Sequence, residues 1–439
     1  MPDTTKNPAR LISLDAYRGF VMLAMASGGF AFSSVLRAHP EVVSSHDQTT
    51  TAIAWETAWR VLAYQFDHVA WSGCAFWDLI QPSFMFMVGV ALPYSFARRV
   101  AEGEPRGRVF LHACWRSLVL VALGVFLSSN GSRQTNFVFT NVLTQIGLGY
   151  PVLFLLLGRP RRLQLAAGAA ILLAYAAWFA RYEIPKVDYH QLETYLTEVR
   201  HVEHDLDQFS GFAAHWNKHT NAAAAVDRRL LNAFPREGEA WNDRKYWVNE
   251  GGYQTLNFIP SIVTMLLGLM AGELLRSGLT EHQKLARLLA AGATCLALGL
   301  ALDTQLWPAA VYGCDWNLCP IVKRIWTPSW TLFSGGWVLW MLAGFYWVID
   351  IRGWQRWAFP LVVVGMNSIA MYCLSQLLKP WLRATLKTHL ATVDAWANTA
   401  TVAALYEGVY GPIGLALANL ALLWLICLWL YRRRIFIRI

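Results

Sequence analysis

The chain is 439 residues long, 56% apolar and only 15% charged, against about 25% charge in an average soluble chain. That balance excludes a string of soluble domains, a disordered or fibrous chain and a small disulfide scaffold. A net charge of +9 on this background fits the basic cytoplasmic loops of a membrane protein better than a nucleic-acid surface, so no nucleic-acid partner is expected.

In chain order the apolar residues form ten candidate spans, at 19–36, 79–97, 109–128, 141–157, 163–180, 257–275, 285–302, 328–349, 358–378 and 412–430. Each is long enough for a hydrocarbon core of about 30 Å. Lipid offers the backbone no partners, and the runs lack the alternation of barrel strands, so the spans read as helices. The expected fold class is all-α: a polytopic membrane helical bundle of about ten transmembrane helices, one domain over 1–439. Within it 181–256 forms an extracytoplasmic helical cap, where Leu192, Leu196, Val199, Val202, Leu206 and Phe209 recur at helical spacing. Residues 380–411 are weakly amphipathic and read as interfacial. The first run is preceded by Asp15 and Arg18 and has no small-residue cleavage pattern, so it stays as a span.

The connections alternate in character. Short basic ones (Arg98, Arg99, Arg106 and Arg108, for example, or Arg432, Arg433 and Arg434) alternate with long ones at 37–78, 129–140, 181–256, 303–327 and 379–411. This puts the basic set and both termini in the cytoplasm and the long loops outside. Of seven cysteines, only Cys314 and Cys319 share a polar loop; whether they pair depends on the compartment that loop faces.

Several polar groups stand where lipid or its boundary makes them costly. Asp15 and Arg18, at i and i+3, face each other at the start of the first span. They read either as a local ion pair or as part of a grip on an anionic cofactor arriving from the cytosol. Phe66-Asp67-His68 and Trp77-Asp78-Leu79-Ile80-Gln81 gather an imidazole, two carboxylates and a glutamine at one outer membrane edge. That is the equipment of a general base with its orienting partner, of a transporter gate, or of a hydrogen-bonded interfacial histidine. His112 and Arg116 lie one turn apart inside the third span, where an arginine must face protein or water. Asn141 and Gln145 open the fourth span, and Asn367-Ser368 interrupt the ninth. Each reads singly as helix–helix glue and together as a polar path. The loop histidines His201, His204, His215 and His219 have ligand-like spacing but no cysteine or carboxylate set beside them, so a solvated helical face is preferred and no metal is expected. Of 22 tryptophans most belong to the interfacial belt, with Trp216, Trp241, Trp247, Trp326 and Trp330 as candidates for stacking on a sugar ring.

Five segments in register resemble the heparan-alpha-glucosaminide N-acetyltransferase family of transmembrane acyltransferases. They are Arg10-x-x-Ser13-x-Asp15-x-x-Arg18-Gly19; His68-x-x-Trp71-x-Gly73 with Asp78-Leu79-x-x-Pro82-x-Phe84-x-Phe86-x-x-Gly89; Lys323-x-x-Trp326-x-x-Ser329; Gly365-Met366-Asn367-Ser368-Ile369; and Tyr431-Arg432-Arg433-Arg434-Ile435-Phe436. The resemblance implies acyl transfer across the membrane, with acetyl-CoA as donor on the cytosolic side and a glycan acceptor on the other. His68 would be the active-site base or nucleophile and Asp78 its supporting carboxylate. Asp15, Arg18, Arg116, Gln145, Asn367 and Ser368 become candidates for holding the donor, and Trp71, Lys323 and Trp326 for the acceptor. The expected partners are that small-molecule donor, the glycan acceptor and membrane lipid; a homodimer is allowed. The expected location is a bacterial inner membrane. One departure from the family is that Ala26-Ser27-Gly28-Gly29 replaces an asparagine-bearing Gly-Gly stretch, with His68 about 40 residues later. The inserted 37–65 and the cap at 181–256 therefore bear on the acceptor side. The alternative is a transporter or flippase for a glycan or small anion, with Arg116, Gln145 and Asn367 along its path.

Overall fold

The computed structural model describes residues 11–38, 50–185, 209–236, 249–303, 317–399, 402 and 406–437. The described chain is helical, and its only strand-like pairing is an isolated bridge between Ser72 and Val322. Eight helices are long and apolar enough to cross a membrane, a ninth crossing arises if one bent pair counts as a single span, and Val142–Leu156 is a shorter apolar helix. Each of the ten expected spans has a helix at its place, which is the architecture of a polytopic membrane protein.

The chain divides into two compact units. The first holds 11–69, 74–80 and the segment from Gly344 onward. Its first helices are α1 (Ile12–Ser27), α2 (Phe32–Ala38) and α3 (Thr50–Gln65). The first expected span breaks between α1 and α2, because Gly28 and Gly29 adopt φ of 61° and 69°. A Cβ at Gly28 would strike the Lys379 side chain, and one at Gly29 the Phe66 carbonyl.

The second unit holds 70–73 and 81–343. Its helices are α4 (Ile80–Ala101, which starts one residue before the unit), α5 (Arg106–Ser128), α6 (Val142–Leu156), α7 (Arg161–Arg181), α8 (Ala222–Leu230), α9 (Phe258–Arg276), α10 (Glu281–Leu302) and α11 (Pro328–Phe345, whose last two residues pass into the first unit). Helices in lipid gain little from burying apolar surface against each other and depend on close approach. Gly89 accordingly faces the Met265 backbone, and Gly268 and Gly272 face the backbones of Phe86 and Val90. At the start of α6 the Asn141 side chain accepts from the Leu143 and Thr144 N–H groups and donates to the Gly124 carbonyl at 3.0 Å. It thus caps one helix and staples it to α5.

The first unit resumes with α12 (Phe359–Gly365), α13 (Ser368–Ala397) and α14 (Gly411–Arg432). Gly19 of α1 and Gly365 of α12 repeat the glycine device: a Cβ at Gly19 would meet the Leu361 carbonyl, and one at Gly365 the Asp15 carbonyl. Tyr17 stacks on Phe345 at 5.2 Å beside this contact. α12 and α13 are bent by 69° at Asn367. The side chain of Asn367 is fully buried. It donates to the Ile435 carbonyl at 3.1 Å and accepts from the Ile437 N–H at 3.0 Å, so the break clips down the C-terminal tail. The structure corrects one boundary: the expected end at 378 with an interfacial stretch beyond is instead one helix running through Pro380 to Ala397. The helical spacing expected from Leu192 to Leu206 lies outside the described residues.

Candidate active site

In the first unit α3 ends at Gln65, and the chain passes through Phe66, Asp67, His68 and Val69 before the turn Phe76–Leu79. Two anchors bring these stretches together. Gln65 accepts the Phe76 N–H at 2.8 Å through Oε1, and Asp78 bonds back to the loop on both carboxylate oxygens. Its Oδ2 accepts the Ala75 N–H at 3.1 Å and the Val69 N–H at 3.3 Å, while Oδ1 lies 2.7 Å from His68 Nδ1. Asp78 is 1% exposed and the His68 side chain 36%. The aspartate is therefore an internal post and the imidazole a group presented outward.

An ionised carboxylate only accepts, so the Nδ1 that faces it carries the proton, and Nε2 is left with its lone pair. The backbone of His68 is fixed as well, its N–H donating to Asp67 Oδ1 at 2.8 Å. Burial raises the Asp67 pKa, but the hydrogen bonds from His68, Ser33 and Arg37 together with the Arg37 charge outweigh it and hold the group below its usual value. Arg37 Nη1 lies 3.1 Å from Asp67 Oδ2. Trp77 flanks the imidazole with ring centres 6.5 Å apart. An imidazole with one nitrogen braced by a buried carboxylate and the other presenting a lone pair can take a proton from an attacking amine or hydroxyl, or attack an acyl carbon itself.

Of the other predicted residues in this unit, Arg18 lies 3.9 Å from Asp15 with 27% of its side chain exposed. Asn367 is committed to the tail, and Ser368 starts α13, half-buried.

The second unit collects the rest. Gln145 is fully buried and donates through Nε2 to the carbonyls of Phe139 at 2.8 Å and Thr255 at 3.1 Å. Arg116 donates to the Tyr150 hydroxyl at 3.3 Å and lies over that ring at 5.3 Å. Ser72 pairs with Val322, and the Gly73 N–H donates to the Ile321 carbonyl at 2.9 Å. Two motifs some 250 residues apart in sequence, those of Trp71 and Lys323, thereby run side by side. Lys323 is buried, with Nζ 5.9 Å from the Tyr253 ring centre. Trp326 takes a left-handed φ of 49° at the end of the turn Lys323–Ile325.

Sequence reasoning about aromatics and loop histidines needs correcting. Trp216, Trp326 and Trp330 are at most 1% exposed: Trp216 stacks on Phe179 at 4.7 Å, and Trp326 meets Trp330 edge-on. They are core posts, not open faces for a sugar. His219 lies on no solvated face, being 2% exposed. Trp241, Trp247, His201, His204 and Cys314 lie outside the described residues; Cys319 is a buried free thiol. Sequence reasoning missed Gln65 and Arg37 as braces around His68. The one available signal was their polarity in runs otherwise rich in apolar residues.

A helical polytopic membrane protein bearing a carboxylate-braced histidine is the class that fold and site define. Residues 57–197 match the family model described as "Heparan-alpha-glucosaminide N-acetyltransferase, catalytic", a stretch that includes His68, Trp71, Asp78, Arg116 and Gln145. The chain is similar to the heparan-alpha-glucosaminide N-acetyltransferases of Homo sapiens (25% identity over 335 residues, 70% of this chain and 48% of the relative) and Mus musculus (24% over 352 residues, 70% and 49%). The resemblance read from the motifs is thus borne out. The chain spans about half the length of the curated relatives it matches.

Proposed function

We propose that the protein is a membrane-embedded acyltransferase that moves an acetyl group from acetyl-CoA on the cytosolic side to a sugar amine or hydroxyl on the outer side, with His68 at the reacting centre. The observation that carries this reading is the 2.7 Å contact between His68 Nδ1 and a buried Asp78 whose other oxygen is held by two backbone N–H groups. The matched family segment, which contains both residues, supports it.

The donor supplies an activated thioester, so the protein's part is to deprotonate the acceptor and to hold charge in place. His68 Nε2 accepts the proton as the acceptor nitrogen or oxygen attacks, and the imidazolium that forms is stabilised by Asp78 across Nδ1–H. The same proton then returns from Nε2 to the departing sulfur. Should Nε2 instead attack the acyl carbon, Asp78 plays the same part, because the ring again gains positive charge. The residue this reading assigns to the donor's phosphates is Arg18, whose partly exposed guanidinium beside Asp15 has the chemistry for a charge-assisted phosphate contact. Gln145 and Asn367 spend their amides on backbone groups and serve as braces.

Purified protein incubated with radiolabelled acetyl-CoA and a panel of amino sugars tests the reading. Transfer to at least one acceptor is expected. His68→Ala should abolish it while leaving the unfolding midpoint near that of the wild type. Undiminished transfer by a folded His68→Ala variant would remove the imidazole from the reaction.

A further inference from the structure

A small crevice, partly open to the surface, between α4, α5 and α6 is left unused by the acyl-transfer reading. Phe96 and Phe154 contribute to its apolar wall, and Arg99, His112, Arg116 and Tyr150 stand among them. Among the described residues no carboxylate lines it. Arg99 is paired at its edge with Glu104 at 3.1 Å, whereas Arg116 has for its neighbour a neutral phenol.

Arg116 sits ten residues into α5, about 15 Å along the helix from Arg106. Its Nε is buried with no hydrogen-bonding partner, and its bond to the Tyr150 hydroxyl is long at 3.3 Å. Helical side chains lean toward the N-terminus, which carries the guanidinium back toward His112, one turn earlier. A guanidinium at this depth is costly unless something polar meets it, and the crevice offers it neutral polar groups, the Tyr150 hydroxyl and Ser95, but no anion. The outer flank of α5 completes the pattern. His112 at the edge of the crevice is exposed and is continuous along the helix with Leu111, Trp115 and Leu118, which are 70%, 62% and 59% exposed. A cationic recess thus opens beside a lipid-facing apolar strip.

We propose that this crevice is a binding site for the headgroup of an anionic phospholipid. The lipid phosphate pairs with Arg116 and Arg99, and the acyl chains lie along the outer face of α5. The donor's nucleotide carries phosphates of the same chemistry, but nothing in a nucleotide matches the adjoining apolar strip, whereas a lipid satisfies both surfaces at once.

The test needs no acyl transfer and so stands or falls apart from the proposed function. Protein in neutral detergent is titrated with phosphatidylglycerol and, separately, phosphatidylcholine. Bound lipid is counted by native mass spectrometry, and the unfolding midpoint is followed in parallel. Phosphatidylglycerol should bind about tenfold more tightly than phosphatidylcholine, a difference of about 1.4 kcal/mol, and should raise the midpoint. Arg116→Gln should remove that preference and Arg116→Lys should keep part of it; Arg99→Gln should weaken it if Arg116→Gln does not fold. Equal binding of the two lipids, or an intact preference in the folded Arg116→Gln and Arg99→Gln variants, overturns the proposal. So does displacement of phosphatidylglycerol by coenzyme A alone from the wild type but not from Arg116→Gln, which would give the crevice to the donor.

Discussion

His68 and Asp78, in the first unit, form a contact, whereas His219 and Asp227, in the second, are the same residue types each buried on its own. Asp78 is buried yet occupied on both oxygens, and its histidine is presented outward. Asp227 is fully buried and accepts the Thr255 N–H at 2.8 Å through Oδ2, while Oδ1 meets no partner. Burial pushes its carboxyl up to about 6, against the lowering effect of the Thr255 hydrogen bonds and of Arg236. His219 is buried at a left-handed φ of 69° with neither ring nitrogen partnered. Burial first, then the positive charges of Lys218, Arg228 and Arg324, take its pKa down to about 3. A polar group earns a chemical role where its partners fix its protonation and one atom stays reachable; buried without partners it is a cost to the fold.

The largest effect expected from this contrast is on catalysis. Asp78→Asn keeps the size of the side chain but no longer presents an ionised acceptor to Nδ1, so the tautomer of His68 is released and the imidazolium loses its counter-charge. Acyl transfer should fall by about 10²–10⁴-fold, read as initial rates with labelled acetyl-CoA. A rate within a few-fold of the wild type would mean that the carboxylate does not tune the imidazole.

Next in size is the contact that holds the first unit together. A Cβ at Gly19 would overlap the Leu361 carbonyl, backbone against backbone, and neither helix can yield locally. Gly19→Ala should lower the stability by about 3 kcal/mol or more, measured as a drop in the unfolding midpoint in detergent. Gly344→Ala, where the added carbon meets nothing within 4 Å, should leave it nearly unchanged.

How much of this was legible in the sequence differs sharply between the two regions. The spans were readable because lipid demands some twenty apolar residues whatever the neighbours are. The His68–Asp78 pairing was readable because both partners lie within eleven residues, at an edge where polar groups stand out. The break after α1 was carried by Gly28 and Gly29 in plain view, yet composition alone read straight through it. The burial of His219, Asp227 and Trp216 was not legible. It is set by long-range contacts, such as the Trp71 indole donating to the Trp216 carbonyl across 145 residues, and local polarity says nothing about which loop is folded under. The continuation of α13 through Pro380 to Ala397 escaped because the weak amphipathicity beyond 378 read as an interfacial stretch rather than as more of the same helix.

Asp227→Asn sharpens the comparison through pH. The wild-type carboxyl is raised from 3.8 to about 6, so between those values the folded state binds more protons than the unfolded one. Stability then falls as pH rises through the window. Two pH units correspond to about 3 kcal/mol at most. The asparagine keeps an oxygen for the Thr255 N–H and has nothing to ionise. The difference in unfolding midpoint between variant and wild type should therefore grow in favour of the variant from pH 4 to pH 6 and level off above. A difference that stays flat across this range would show that the carboxyl titrates as it does in water.

The smallest effect at neutral pH comes from His219, and it has the opposite sign in pH. Its pKa is lowered from 6.5 to about 3; the unfolded state binds the extra proton, and stability is lost as pH falls below about 6.5. His219→Asn places a residue that tolerates the left-handed backbone and removes two buried nitrogens without partners, against some loss of packing. A net gain of about 1 kcal/mol at pH 7 is expected, together with a weaker loss of stability on acidification. Since the two titrations oppose each other between pH 4 and 6, the Asp227→Asn, His219→Asn double variant should show a flatter profile there than either single change. A destabilised His219→Asn at pH 7 would mean that the imidazole's packing outweighs both its strained backbone and its unpaired nitrogens.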